Sequence, residues 1–81
     1  MNINRIETEH FQQRLRERQL LSRLELVKKA VLNPEKRISQ AHKNQPNTYV
    51  HQVEDINVVI HRQKHTDWQA TDTILTVYTQ G

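Results

Sequence analysis

The chain has 81 residues, enough for one domain and too few for a second core. A domain of this size buries only about 60–65% of its unfolded surface, so modest stability is expected. The absence of cysteine excludes disulfides and thiolate metal sites, while twelve Lys and Arg against nine Asp and Glu leave a charge of +3, a balance that suits RNA, DNA or an acidic protein.

Apolar residues fall in periodic segments, which favours folding over disorder. Met1-Asn-Ile-Asn-Arg5 has no apolar run of the signal-peptide kind, and no stretch of ~18 apolar residues follows, so a cytoplasmic protein without a membrane segment is expected. Thr8 is placed to cap a helix over Glu9–Gln19, with Phe11 and Leu15 four apart on one face and His10, Gln13, Arg14, Glu17 and Arg18 on the other. Ser22-Arg23-Leu24-Glu25 has the pattern of a capping box for a second helix. That helix would bury Leu24, Val27 and Val31 and stop at Asn33-Pro34, since a residue before proline avoids the α region.

Beyond Pro34 the period changes to two. Arg37–His42 is a weak strand, Asn44-Gln45-Pro46-Asn47 a turn, and Thr48–Val53 a strand that reverses at Glu54-Asp55 into Ile56–Arg62. A loop over Gln63–Thr71 holds Trp68, expected to act as a lid on the core, with a base-stacking platform as the alternative, and Asp72–Thr79 is the last strand. The predicted architecture is α+β: a single domain, residues 1–81, with two N-terminal helices on a mostly antiparallel sheet of about four strands, in the order ααββββ.

Alternation across the last strand puts Leu75 and Val77 on the core face and Ile74, Thr76 and Tyr78 on the other. His51 and His61 each fall on a strand face that the same sheet could present beside them. RNA cleavage without a metal needs a base for the ribose 2′-hydroxyl, an acid for the leaving 5′-oxygen and cations for the transition state. Histidine suits the first two roles near neutral pH and arginine the third. The candidate catalytic residues are therefore His10, His51, His61 and Tyr78, and the candidate substrate-binding residues Arg14, Arg18, Arg62 and Thr76. No metal or cofactor is expected: His61 and His65 would sit about 13 Å apart on a continuous strand, with no third ligand.

The stretch His10-Phe-Gln-Gln-Arg14-Leu-Arg-Glu-Arg18, the helix ending in Leu32-Asn33-Pro34-Glu35, and the closing Ile74-Leu75-Thr76-Val77-Tyr78 together resemble small RelE-like domains of the barnase, EndoU, colicin and RelE group. The resemblance implies a metal-independent, toxin-type ribonuclease from a phage or plasmid setting, held in check by an antitoxin or immunity protein. It also implies that His10 and Arg14 match the polar residues of the family's first helix, and Thr76 and Tyr78 the hydroxyls of its last strand. The chain departs from the pattern at Gln19-Leu20, where a glycine is usual, and in the long Gln63–Thr71 loop. Some proteins on this scaffold bind a host machine without cleaving anything, so a non-catalytic binding module is the alternative expectation. A nucleic-acid binder without chemistry is a third.

Overall fold

The computed structural model describes residues 1–80. Its elements are β1 (Asn2–Glu7), α1 (Glu9–Glu17), α2 (Leu24–Leu32), β2 (Lys36–Ser39), β3 (Thr48–Val53), β4 (Ile56–Lys64) and β5 (Gln69–Thr79), with single 3-10 turns at Leu20–Arg23 and Ala41–Lys43. One five-stranded sheet runs β1-β5-β4-β3-β2, antiparallel except where β1 lies parallel to β5. The fold is α+β as expected, but it has five strands rather than four, and the helices follow the first strand rather than opening the chain. β1 is an edge strand with Ile3 alone half-buried, so it lacks the apolar alternation that marks a strand in sequence. Pairing with β5, at the far end of the chain, is what orders it.

Both helices pack on one face of the sheet. Phe11, Leu15 and Leu20 meet Val27 and Ala30 of α2 over a sheet surface of Val53, Ile56, Val58, Ile60, Ile74 and Val77. Thr8 caps α1 as its sequence predicts, its hydroxyl oxygen accepting the Phe11 N–H at 3.0 Å. The same hydroxyl donates to the Ile74 carbonyl at 2.9 Å, with the Leu75 carbonyl at 3.1 Å, which ties the start of α1 to β5.

The Ser22 capping box does not form. Gln19 takes a left-handed conformation (φ 55°) and Leu20–Arg23 closes a 3-10 turn, so α2 starts at Leu24 with no side-chain cap. That turn seats Leu20 in the core and brings Arg23 onto Asp55 at 2.6 and 3.1 Å. Tertiary contacts outweigh a single cap here. α2 is rotated from its expected facing, with Val27 and Ala30 buried while Leu24 is exposed and Val31 only partly covered.

The turns around Asn44–Asn47 and Glu54 occur as expected, with Asn44, Asn47 and Glu54 at φ of 59°, 61° and 53°. The expected long loop shrinks to residues 65–68, because β4 and β5 extend the hairpin to Lys64↔Ala70. Trp68 lies in that tight turn, 75% exposed, and covers no core.

Candidate functional site

A β-bulge sets the geometry of the open face. Val59 pairs with Thr76 and Ile60 with Ile74, leaving Leu75 as the extra residue of β5. The bulge switches parity, so Ile74 and Val77 both reach the core and Leu75 does not. The expectations that Leu75 shares the core face with Val77 and that Ile74 lies on the other face are therefore both corrected. Leu75 turns instead toward Thr76, Val59 and His61, across a cleft of about 530 Å³ closed on one side by Gln45 and Pro46.

The cleft collects three of the residues singled out from sequence. His61 on β4 stands opposite Thr48 of β3, and Thr76 opposite Val59, so strand pairing places His61, Thr48 and Thr76 on one surface. His10 arrives from α1, because the Thr8 hydrogen bonds to Ile74 and Leu75 hold the first turn of that helix beside the bulge. His10 is exposed and His61 half-buried, so both imidazoles remain accessible. The Arg14 Nε–H points at His10 Nε2 at 3.5 Å, a long contact, while Arg14 Nη1 donates to Glu17 at 3.1 Å. Arg14 thus stands behind His10 as its cationic neighbour on the same helix face.

The other candidates lie elsewhere. Tyr78 shares the open face but pairs with Asn57, one step beyond the cleft. Arg18 is the C-terminal cap residue of α1 and does not line the cleft. His51 was expected beside His61; it sits instead on the opposite, helix-covered face, paired with Val58 and 3% exposed. Its Nδ1 lies 2.8 Å from the Ala30 carbonyl. In a longer helix that carbonyl would accept from the residue four places on, but residue 34 is proline and has no N–H. His51 Nδ1–H supplies the missing donor. Burial pushes the His51 imidazole below its usual range, and Arg37 and Arg62 add to this against the opposing Ala30 hydrogen bond and Asp72. A buried neutral histidine with Nδ1–H on a carbonyl is a structural group.

Arg62 is also committed on the covered face. Its Nε and Nη2 donate to the two oxygens of Asp72 at 2.7 and 2.8 Å, and Asp72 is 1% exposed. Burial alone would raise the Asp72 carboxyl, but the Arg62 hydrogen bonds and the charges of Arg62, Arg5 and Arg37 outweigh it and hold the group below its usual range. One further polar residue of the cleft is not among the candidates read from sequence: Thr48, whose signal is its register opposite His61.

Among the described residues, no three His, Asp or Glu side chains are grouped to hold a metal ion, and no helix is long and apolar enough to cross a membrane. No protein-family model matches the chain, and no curated protein or solved structure matches it significantly.

Proposed function

We propose that the protein is a metal-independent ribonuclease whose acid–base pair is His10 and His61. The observation that carries this reading is the convergence of two accessible imidazoles and the Thr76 hydroxyl on one cleft of about 530 Å³, wide enough for a nucleotide. One imidazole removes the proton from the ribose 2′-hydroxyl, whose oxygen attacks the adjacent phosphorus. The other gives a proton to the departing 5′-oxygen, leaving a 2′,3′-cyclic phosphate and a free 5′-hydroxyl. Thr76 and Thr48 orient the phosphate, and Arg14, beside His10, contributes positive charge to the transition state. The likeness of the helical hairpin and closing strand to RelE-like toxins adds to this reading, and makes RNA and a neutralising antitoxin or immunity protein the expected partners. His51, Arg62 and Tyr78 take no direct part.

The test is incubation of the purified protein with a short RNA in EDTA. Cleavage with cyclic-phosphate ends is expected, and a 2′-deoxy substrate should survive. Equal cutting of DNA, or undiminished cutting by a His10→Ala/His61→Ala double variant, overturns the reading.

One observation favours a non-catalytic binding module instead. An apolar groove of about 500 Å³ runs between β1 and the two helices, floored by Phe11, Leu15 and Val27, with Leu24 and Leu32 exposed at its side. On that reading expression is harmless to cells, RNA stays intact, and the protein co-purifies with a stable partner.

A further inference from the structure

The helices do not extend along the whole of the face they cover. Beyond Ile60 and Ile74, toward the β4–β5 turn, the same face carries Arg62, Lys64 and Asp72 together with the buried Ala70. Arg62 of β4 pairs with Asp72 of β5, and Asp72 pairs in turn with Arg5 of β1. Nearer the opposite edge of the same face, Arg37 of β2 lies over the Tyr49 ring, 3.9 Å from its centroid. Arg5 is the register neighbour of Asp72, and Tyr49, beneath Arg37, pairs with Ile60, two residues before Arg62 on the same face. Three guanidiniums from three strands thus share this part of the face with one buried carboxylate, which leaves two positive charges in excess among these four groups.

We infer that this end of the sheet is a phosphate-binding site, formed by Arg5, Arg37 and Arg62 around Asp72. Asp72 takes up the Nε and Nη2 of Arg62 and so fixes that guanidinium in place, leaving Nη1 uncommitted by those two bonds. Arg37 engages Tyr49 through a cation–π contact, which uses none of its N–H donors. Among the described residues, neither Arg5 nor Arg37 makes a salt bridge, and both are exposed. Several guanidiniums on one stretch of a sheet face, with only one carboxylate between them, match the several oxygens of a phosphate better than the two of a carboxylate. The site lies across the sheet from the His10–His61 cleft, so it stands or falls independently of RNA cleavage.

The phosphate has two possible sources, a backbone phosphodiester or a terminal monoester, and the experiment separates them. The arginine Nε–Hε signals of the full chain are followed by ¹H–¹⁵N NMR during titration with inorganic phosphate, with sodium acetate at matched ionic strength as control. Saturable shifts confined to arginines of this cluster are expected with phosphate and not with acetate. Arg5→Ala and Arg37→Ala should each weaken binding by about tenfold or more, as the loss of one charge-assisted contact implies. Both positions are exposed, whereas removing Arg62 would strand Asp72 and endanger the fold.

The same titration with 2′-O-methyl oligouridine, which no 2′-hydroxyl mechanism can cut, identifies the source. Equal competition by 5′-phosphorylated and 5′-hydroxyl oligomers assigns a backbone phosphodiester, and competition by the 5′-phosphorylated form alone assigns a monoester. Binding should persist in the His10→Ala/His61→Ala variant. Shifts that do not saturate, shifts that acetate reproduces, or wild-type affinity in both arginine variants overturn the site.

Discussion

The two faces of this sheet use the same residue types for opposite purposes. On the covered face His51 is sealed beneath α2 and Arg62 is locked to a buried carboxylate. On the open face His61 and His10 border a cleft, and His10 carries the long contact from Arg14. His51 and His61 belong to adjacent antiparallel strands, yet one is 3% exposed and the other accessible. Chemistry requires a side chain that can change its protonation and meet a substrate, and structure requires one that can do neither. Which histidine does which job is decided by strand parity and by what the helices cover.

Substitutions at the imidazoles should separate these roles most clearly. His10→Ala and His61→Ala are each expected to lower RNA cleavage by about 10²–10⁴-fold, the range for loss of a general acid or base. Their midpoints in urea should stay close to that of the parent chain, because neither side chain is buried. The converse pattern at either position, a destabilised protein with its cleavage rate intact, would erase the distinction between the faces.

The next largest effect is expected at the buried ion pair. Arg62→Met leaves the Asp72 carboxylate 1% exposed with its bidentate partner gone. The cost should be about 3 kcal/mol, at the low end for a broken buried pair because the Arg62 side chain is 23% exposed. Urea unfolding measures it, and Arg62→Met/Asp72→Asn should recover most of the loss. Arg23→Met, which breaks an equally well aligned pair with the more exposed Asp55, should cost much less.

His51→Ala comes next, at about 2–3 kcal/mol, since it opens a cavity and leaves the Ala30 carbonyl without a donor. His51→Asn, whose amide can stand in for Nδ1–H, should restore part of this. The same histidine makes stability depend on pH. Its folded pKa lies below its unfolded value near 6.5, so the unfolded chain binds the proton more readily. The contribution is fully present above pH ~6.5 and is lost as the pH falls from there through the folded value. Asp72, also depressed on folding, adds a loss of the same sign at lower pH, below the ordinary carboxylate range near 3.9. Urea midpoints measured between pH 7 and 5 should therefore fall for the parent chain and stay flatter for His51→Asn.

Several local signals in the sequence match the local structure, the Ser22 capping box being the exception. Thr8 caps α1, Thr48–Val53 is a strand between the turns that Asn44, Asn47 and Glu54 permit, and Pro34 ends α2. What escaped depended on partners distant in sequence. β1 has little apolar pattern and is ordered by β5. The bulge at Leu75 could not be read from Ile74-Leu75-Thr76-Val77, because an apolar run with β-branched neighbours fits either parity. His51 is the instructive case: Pro34 already announced that the Ala30 carbonyl would lack its helical donor, but only the packing of α2 on β3 reveals which side chain answers. The cleft was legible in its residue types and not in its membership. His10, His61 and Thr76 meet there, while His51 and Arg62 were carried to the other face by the alternation that separates neighbours on a strand.

The smallest expected effect is a gain, and it isolates the covered face from the cleft. Gln19 holds a left-handed conformation at φ 55° and ψ 38°, just past the end of α1, where a side chain with a Cβ is strained and glycine is not. Its conformation directs the chain into the 3-10 turn that buries Leu20 and aligns α2. Gln19→Gly removes the Cβ conflict but adds freedom to the unfolded chain, so the net gain should be about 0.5–1 kcal/mol. Because Gln19 lines neither the cleft nor the arginine cluster, RNA cleavage and phosphate binding should both stay unchanged while the urea midpoint rises. A loss of stability would mean that the Gln19 side chain makes contacts worth more than its strain. A changed cleavage rate would mean that the helix pair and the cleft move together, and that the two faces are not independent.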